Sequence, residues 1–320
     1  RARQYQFANG TDALQIALMT LELKPGDEVL VPAFTYAASA EVVALLGLVP
    51  VLVDVDKETF CLNPKQLEKA LTPRTRALIP VHLFGSISPM EPILRFAQEH
   101  NLYVIEDNAQ ALGAVCTFSD GRRAKAGTLG HIGCTSFFPS KNLGCYGDGG
   151  AIFTDDAHLA ERLKMMANHG QRTKYRHEAI GCNSRLDTLQ AAILRCKLPH
   201  LAEYGERRCE LAHRYTKALQ GVENIIPPQE MPYTTHVYHQ VVTSYVDEEG
   251  KEINPSDKGT KDKKDIPEYI YKETKKDEKG NTTHVYRQVV TSYVNEEGKE
   301  ISPSDKGTKD KKDIPEYIYK

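Results

Sequence analysis

The stretch Ser136–Gly150, SFFPSKNLGCYGDGG, sets one lysine among glycines. Five glycines, Gly133, Gly144, Gly147, Gly149 and Gly150, fall within nine residues of Lys141. Glycine lets backbone approach a ligand closely. Most lysines are solvated surface charges, but this one follows the apolar pair Phe137–Phe138 and opens a glycine-rich loop. Burial or a nearby cation would keep part of such an amine unprotonated and nucleophilic. Two further features carry chemistry. Asp107 ends the apolar run LYVIED, with Gln110 three residues on, and open parallel sheets bind ligands beyond the carboxyl ends of their strands. Asn9-Gly10-Thr11 opens ANGTDALQIAL, whose apolar spacing is helical, and free N–H groups at a helix start bind phosphate. Each has an ordinary reading beside the chemical one: Asp107 as a cap for the next segment, Asn9–Thr11 as a plain N-cap.

Together, an amine, a strand-end carboxylate and a phosphate cradle match what pyridoxal phosphate needs. That cofactor takes a lysine for a Schiff base, an anion for its pyridinium proton, and an anchor for its phosphate.

The elements that must position these groups read as α/β. DEVLVP, VPVLVDVD, RALIPVHLFG and LYVIED are short apolar strands, and YAASAEVVALLG, NPKQLEKAL and SPMEPILRFAQEH between them have helical periodicity. Asn63-Pro64 supplies a cap followed by proline at the first helical position. The alternation predicts a mainly parallel sheet covered on both faces. A longer helical region runs from about Leu186 to Leu219, interrupted near Pro199.

The 320 residues suffice for one large or two moderate domains. A formal net charge of −2 predicts neither a nucleic-acid nor a membrane partner. No apolar run reaches membrane-span length, and the opening RARQYQFANG has no signal-peptide h-region. The seven cysteines all lie between Cys61 and Cys209, without C-x-x-C spacing, as expected of buried thiols in a reducing, cytoplasmic setting.

Composition changes near Thr234, after which Cys, Phe and Leu vanish. The segment beginning TTHVYHQVVTSYVDEEG at Thr234 returns at Thr282, a period of 282 − 234 = 48 residues. Only His239/Arg287, Asp247/Asn295 and Asn254/Ser302 differ over the shared length. Such a period marks an array of like units. Each unit reads as a small β-module with a charged, partly disordered loop, PSDKGTKDKKD. The expected domains are 1–233, an α/β unit, then 234–281 and the incomplete 282–320, two β-rich repeats.

NGTDAL, VPAFTYAAS, PVLVDVD, IPVHLFG, IEDNAQALGA, SFFPSKNLGCYGDGGAI and GCNSRLDTLQAAIL occur in this order. They resemble the sugar aminotransferases of the DegT/DnrJ/StrS type, pyridoxal-phosphate enzymes of the aspartate-aminotransferase fold, from about Phe7 to Tyr215 and on toward HVYHQ. The resemblance implies the following roles. Lys141 is the Schiff-base lysine, Asp107 the partner of the pyridine nitrogen, and Gln110 the neighbour of the ring hydroxyl. Gly10, Thr11 and Ser136 bind the cofactor phosphate, and Tyr36, with Phe34 as second choice, stacks on the ring. Asn183 and Arg185 reach the cofactor phosphate of a neighbouring subunit, which implies a homodimer with shared sites. His82 and His239 are weaker candidates for substrate contact, with a core histidine and a repeat residue as the plain alternatives. The implied reaction moves an amino group from an amino acid, usually glutamate, to a nucleotide-linked keto sugar. Relatives that dehydrate or deaminate carry histidine in place of the lysine, so lysine favours transamination.

Against that pattern the chain has short flanks, nine residues before Gly10 and no closing C-terminal domain after HVYHQ. TTHVY belongs to both the enzyme-like and the repeat pattern and reads as the crossover of a chimera. The repeats resemble those of Gram-positive surface proteins, such as mucin-binding or stalk repeats. The alternative to an enzyme is therefore a truncated, non-catalytic scaffold joined to structural or adhesive repeats.

Overall fold

The computed structural model describes residues 3–222 and 225–245 and the strand segments 269–276, 282–288, 293–294, 300–301 and 318–319. The chain forms two compact units, Arg1–Thr243 and Ser244–Lys320.

The first unit is built on a seven-stranded sheet. Its strands are β1 (Arg3–Phe7), β2 (Glu28–Pro32), β3 (Val49–Val53), β4 (Thr75–Leu78), β5 (Tyr103–Asp107), β8 (Ile132–Ser136) and β9 (Gly150–Thr154). The hairpin of β6 (Val115–Thr117) and β7 (Arg123–Lys125) lies between β5 and β8 in the chain. The sheet order is β1-β9-β8-β5-β4-β2-β3. The pairs β2–β3, β2–β4, β4–β5 and β5–β8 are parallel, and β9 runs antiparallel to both β1 and β8. The helices are α1 (Gly10–Thr20), α2 (Ala38–Leu45), α3 (Leu67–Ala70), α4 (Met90–Glu99), α5 (Ala157–Met166), α6 (Thr188–Lys197) and α7 (Leu201–Leu219).

Strand alternation explains why helices cover both faces. Val29 and Val31 of β2 point into one core with Leu14 and Ile16 of α1, Val42 and Val43 of α2, and Leu163 of α5. Leu30, between them, points into the other with Leu67 of α3 and Met90 and Ile93 of α4. A strand buried on both sides must be apolar at every position, which is why VLV carries no alternation in its sequence. Asn63 caps the short turn before α3 by accepting from Lys65 N–H, as its sequence predicts. The helical region after Leu186 continues through a tight turn at Leu198–His200, where Pro199 sits at a tolerated first-turn position. Among the described residues, no helix is long and apolar enough to cross a membrane.

The change in composition and the edge of the first unit differ by ten residues. Thr235 N–H donates to Val115 O, Val237 N–H to Gly85 O, and Gln240 N–H to Phe84 O, which fastens 234–240 to the α/β unit. Gly85 has φ of +107°, and a Cβ there would lie 2.8 Å from the backbone nitrogens of Tyr238 and His239. Only glycine fits beneath this segment.

After β10 (Gln171–Thr173), β11 (Arg176–His177) and β12 (Ile225–Ile226), the second unit contributes β13 (Ser244–Tyr245), β14 (Tyr269–Lys276), β15 (Thr282–Gln288), β16 (Tyr293–Val294), β17 (Glu300–Ile301) and β18 (Ile318–Tyr319). β14 and β15 pair antiparallel from Tyr269↔Gln288 to Lys276↔Thr282, and β16 pairs with β17 and β18. The first hairpin straddles the boundary at 281/282 that sequence repetition suggested. TTHVY is thus strand β15 at 282–286 but an irregular segment packed on the α/β unit at 234–238. Both copies of the charged loop PSDKGTKDKKD lie outside the described residues.

Candidate active site

The ends of β1, β2, β5 and β8 lie at one edge of the sheet, because all four strands run the same way. That edge carries Gly10 and Thr11, Tyr36, Asp107 and Gln110, and Ser136 with Lys141 beyond it.

At the start of α1, Asn9 Oδ1 accepts from Asp12 N–H at 2.7 Å. The N–H groups of Gly10 and Thr11 are first-turn donors without an intrahelical acceptor. They come close to β8 and β9 because the glycines allow it. A Cβ on Gly10 would stand 2.6 Å from Ser136 Cβ, and one on Gly150 would stand 2.4 Å from Asn9 O. Ser136 Oγ sits beside these donors and accepts from Phe138 N–H at 3.2 Å. Hydroxyl and helix dipole together suit a dianionic phosphate.

Asp107 is buried, and each carboxylate oxygen is held: Oδ1 by Ala109 N–H at 3.1 Å and Oδ2 by the buried Ser39 hydroxyl at 2.9 Å. Its backbone is fixed on both sides, accepting from His82 N–H and donating to Pro80 O. Lys141 is half-buried, and burial holds its amine below the usual lysine range, with the Asp107 carboxylate pulling the other way. A depressed lysine is what nucleophilic amine chemistry requires. Gln110 Oε1 accepts from Phe84 N–H at 2.7 Å, and Asn142 Nδ2 reaches Gln110 O at 3.5 Å. That orients the Asn142 carbonyl toward His239 Nδ1 at 3.1 Å. His239 therefore donates from Nδ1 and leaves Nε2 as an acceptor. Burial, reinforced by the positive charges of Lys141 and Arg208, pushes its pKa down to about 4.

Tyr36 is 75% exposed on the loop after β2, whereas Phe34 is engaged by Phe60 and Phe84 at centroid distances of 5.8 and 6.2 Å. Of the two aromatics, Tyr36 has the free ring. Asn183 and Arg185 are exposed, and Ser184 between them is buried. Ser184 Oγ accepts from Ala8 N–H at 3.0 Å and donates to Asp12 Oδ2 at 2.7 Å, which anchors the motif to the start of α1.

Residues 5–257 match the DegT/DnrJ/EryC1/StrS aminotransferase family. The chain belongs to this family. It is 48% identical over 233 residues to UDP-N-acetyl-3-dehydro-alpha-D-glucosamine 3-aminotransferase of Acidithiobacillus ferrooxidans, covering 73% of this chain and 62% of the relative. It is 52% identical over 215 residues to UDP-2-acetamido-2-deoxy-3-oxo-D-glucuronate aminotransferase of Pseudomonas aeruginosa, covering 67% of this chain and 58% of the relative. The chain therefore spans about three fifths of the length of these curated relatives. The crystal structure of Streptomyces venezuelae DesV in complex with a ketimine intermediate superposes with a TM-score of 0.72 at 45% identity, covering 77% of this chain and 65% of that one. Residues 241–288 match the SSSPR-51 domain, whose frame ends with β15.

For His82, weighed as a substrate contact with a core histidine as the plain alternative, the structure favours the alternative. His82 is fully buried, with Nε2 2.8 Å from Glu106 Oε2, and Nδ1 accepts from Ser88 N–H at 3.2 Å. It packs as a core histidine, with Nδ1 accepting and Nε2 donating. The structure adds Ser39, Ser184 and Asn142. Ser39 and Ser184 stand inside the quoted motifs VPAFTYAAS and GCNSRLDTLQ, and Asn142 follows the lysine directly. Short polar residues in glycine- and alanine-rich motifs were the available signal.

The residues fit pyridoxal phosphate. The half-buried amine, the doubly held carboxylate, and the free donors of Gly10 and Thr11 beside Ser136 Oγ offer the three kinds of contact that the cofactor needs.

Proposed function

We propose that the Arg1–Thr243 unit is the large domain of a pyridoxal-phosphate-dependent aminotransferase that aminates a keto sugar, nucleotide-linked, with an amino acid, glutamate by preference, as donor. The observation that carries this reading is the convergence of Lys141, Asp107 and the α1 start at one sheet edge. Bound there, the cofactor supplies an electron sink that makes the donor's α-proton acidic. Asp107 would hold the ring nitrogen in its protonated form, and Gln110 would lie beside the ring hydroxyl. Gly10, Thr11 and Ser136 would hold the phosphate, with Tyr36 over the ring. Lys141 would hold the cofactor at rest; as a free amine it would take the proton from the donor's α-carbon and deliver it to the cofactor carbon on the other side of the shared nitrogen. Its burial-depressed basicity supports that role.

The active form is proposed to be a homodimer in which Asn183 and Arg185 reach the other subunit's cofactor phosphate. Exposed Tyr175, Ile180 and Leu189 near this motif in the chain, with exposed Tyr146 tied to Gln190 through its N–H, support a covered surface. His239 is retained as a substrate contact, since its Nε2 is an unprotonated acceptor in the neighbourhood of Lys141. The seven free cysteines support a reducing, cytoplasmic location. A join between enzyme and repeat sequences at 234–238 is favoured by one observation, the two environments that TTHVY occupies.

The test is borohydride reduction of the protein with added pyridoxal phosphate, followed by peptide mapping. The reading expects the cofactor's mass on Lys141; labelling spread over exposed lysines would refute it.

A further inference from the structure

Of the two donors that fix the Asp107 carboxylate, one is local. Ala109 N–H belongs to the same turn and moves with it. The other, Ser39 Oγ, comes from the first turn of α2, 68 residues away in the chain. Ser39 is fully buried, and its hydroxyl is not spent on its own helix: the α2 N-cap, Ala37, carries no side-chain capping bond. A serine in a helix's first turn ordinarily serves the backbone or solvent. Here it crosses to another element and reaches a carboxylate. Ser39 N–H in turn donates to Tyr36 O at 3.3 Å, so the same residue ties the Tyr36 loop to the end of β5.

We propose that Ser39 is a positioning residue of the cofactor site, which sets the rotation of the Asp107 carboxylate against the ring nitrogen and couples it to the Tyr36 loop. This rests on the pyridoxal-phosphate reading above. With the bond to Ala109 alone, the carboxylate can swing about that contact. A hydrogen bond to a charged group is among the stronger ones, and its loss at a buried site is felt by whatever the charge binds.

The experiment is a double-mutant cycle on pyridoxal-phosphate dissociation constants, measured by equilibrium dialysis, for the parent chain, Ser39→Ala, Asp107→Asn and the double variant. Circular dichroism on each confirms the fold. Ser39→Ala is expected to weaken binding about tenfold in the parent background and to change it less than about twofold once Asp107 is Asn. With cofactor labelled at the ring nitrogen, the 15N shift is expected to move toward the unprotonated position in Ser39→Ala. Equal losses in both backgrounds would mean that Ser39 only fills space, and no loss in the parent would likewise overturn the proposal. If the parent itself binds no pyridoxal phosphate, the functional reading falls, and this inference falls with it. If the parent binds and the cycle shows no coupling, only the role of Ser39 falls.

Discussion

Replacing Glu106 by Gln should cost the α/β unit a large part of its stability, although the two side chains have nearly the same shape. Glu106 is fully buried at the end of β5. Oε1 accepts from Leu129 N–H at 2.6 Å and Gly130 N–H at 2.7 Å. Oε2 accepts from Gly127 N–H at 2.8 Å and from His82 Nε2 at 2.8 Å. His82 must present N–H there, because its Nδ1 accepts from Ser88. All four contacts are therefore donors, and the carboxylate is the only acceptor among them. In Gln one oxygen becomes an NH2, so two donors face a donor whichever way the amide turns. Each buried donor left without an acceptor costs about 1–3 kcal/mol, so the two together should cost about 2–6 kcal/mol. That is a substantial share of the roughly 5–15 kcal/mol that holds a typical domain together. The chain has no Trp and 16 Tyr, so urea unfolding followed by tyrosine fluorescence and far-ultraviolet circular dichroism is the natural assay. A midpoint shift corresponding to less than about 1 kcal/mol would refute the reasoning, because it would mean the four donors are satisfied without the anion.

Three other outcomes follow. His236 accepts from Tyr238 N–H through Nδ1 at 3.0 Å, and burial pushes its pKa down to about 4, as for His239. Both groups thus have folded pKa values below the unfolded value of about 6.5. Their contribution is full above that value and is lost as pH falls toward about 4; His236→Gln should flatten stability against pH across this window in thermal melts. Glu28, with its carboxylate held down by the Thr72 hydroxyl and by Arg74, contributes stability above the ordinary glutamate range that is lost at lower pH; Glu28→Gln should therefore weaken the fold at neutral pH and matter less in acid. Gly10→Ala should weaken pyridoxal-phosphate binding at least about tenfold, since a Cβ 2.6 Å from Ser136 Cβ must push the α1 start off β8; unchanged affinity by dialysis would contradict the proposed phosphate cradle.

Much of the architecture was legible in the sequence because its signals are local. DEVLVP and LYVIED read as buried strands, and Asn63-Pro64 read as a helix start. The antiparallel β9 was not legible: GAIFT carries the same apolar signal whichever way it runs, and direction is set by what it pairs with. TTHVY shows the same limit more sharply. One five-residue sequence is a strand in β15 and an irregular segment over Gly85 near the end of the first unit, so tertiary context decides. For His82 the choice between substrate contact and core histidine stayed open in the sequence for a related reason. A histidine near a strand end looks available, and only the three-dimensional approach of Glu106 and the Ser88 N–H shows that both ring nitrogens are used. Ser39 and Ser184 were passed over because their partners, Asp107, Ala8 and Asp12, are distant in the chain, and no spacing rule connects them.

The central claim is that Lys141, Asp107 and the α1 start form one cofactor site. The most direct measurement is the visible absorbance of the chain with added pyridoxal phosphate, recorded for the parent and for Lys141→Ala, before and after glutamate. The account predicts a protein-bound band in the parent that is absent from the variant and bleached by glutamate. A folded parent without such a band, or a band that persists in Lys141→Ala, would contradict it.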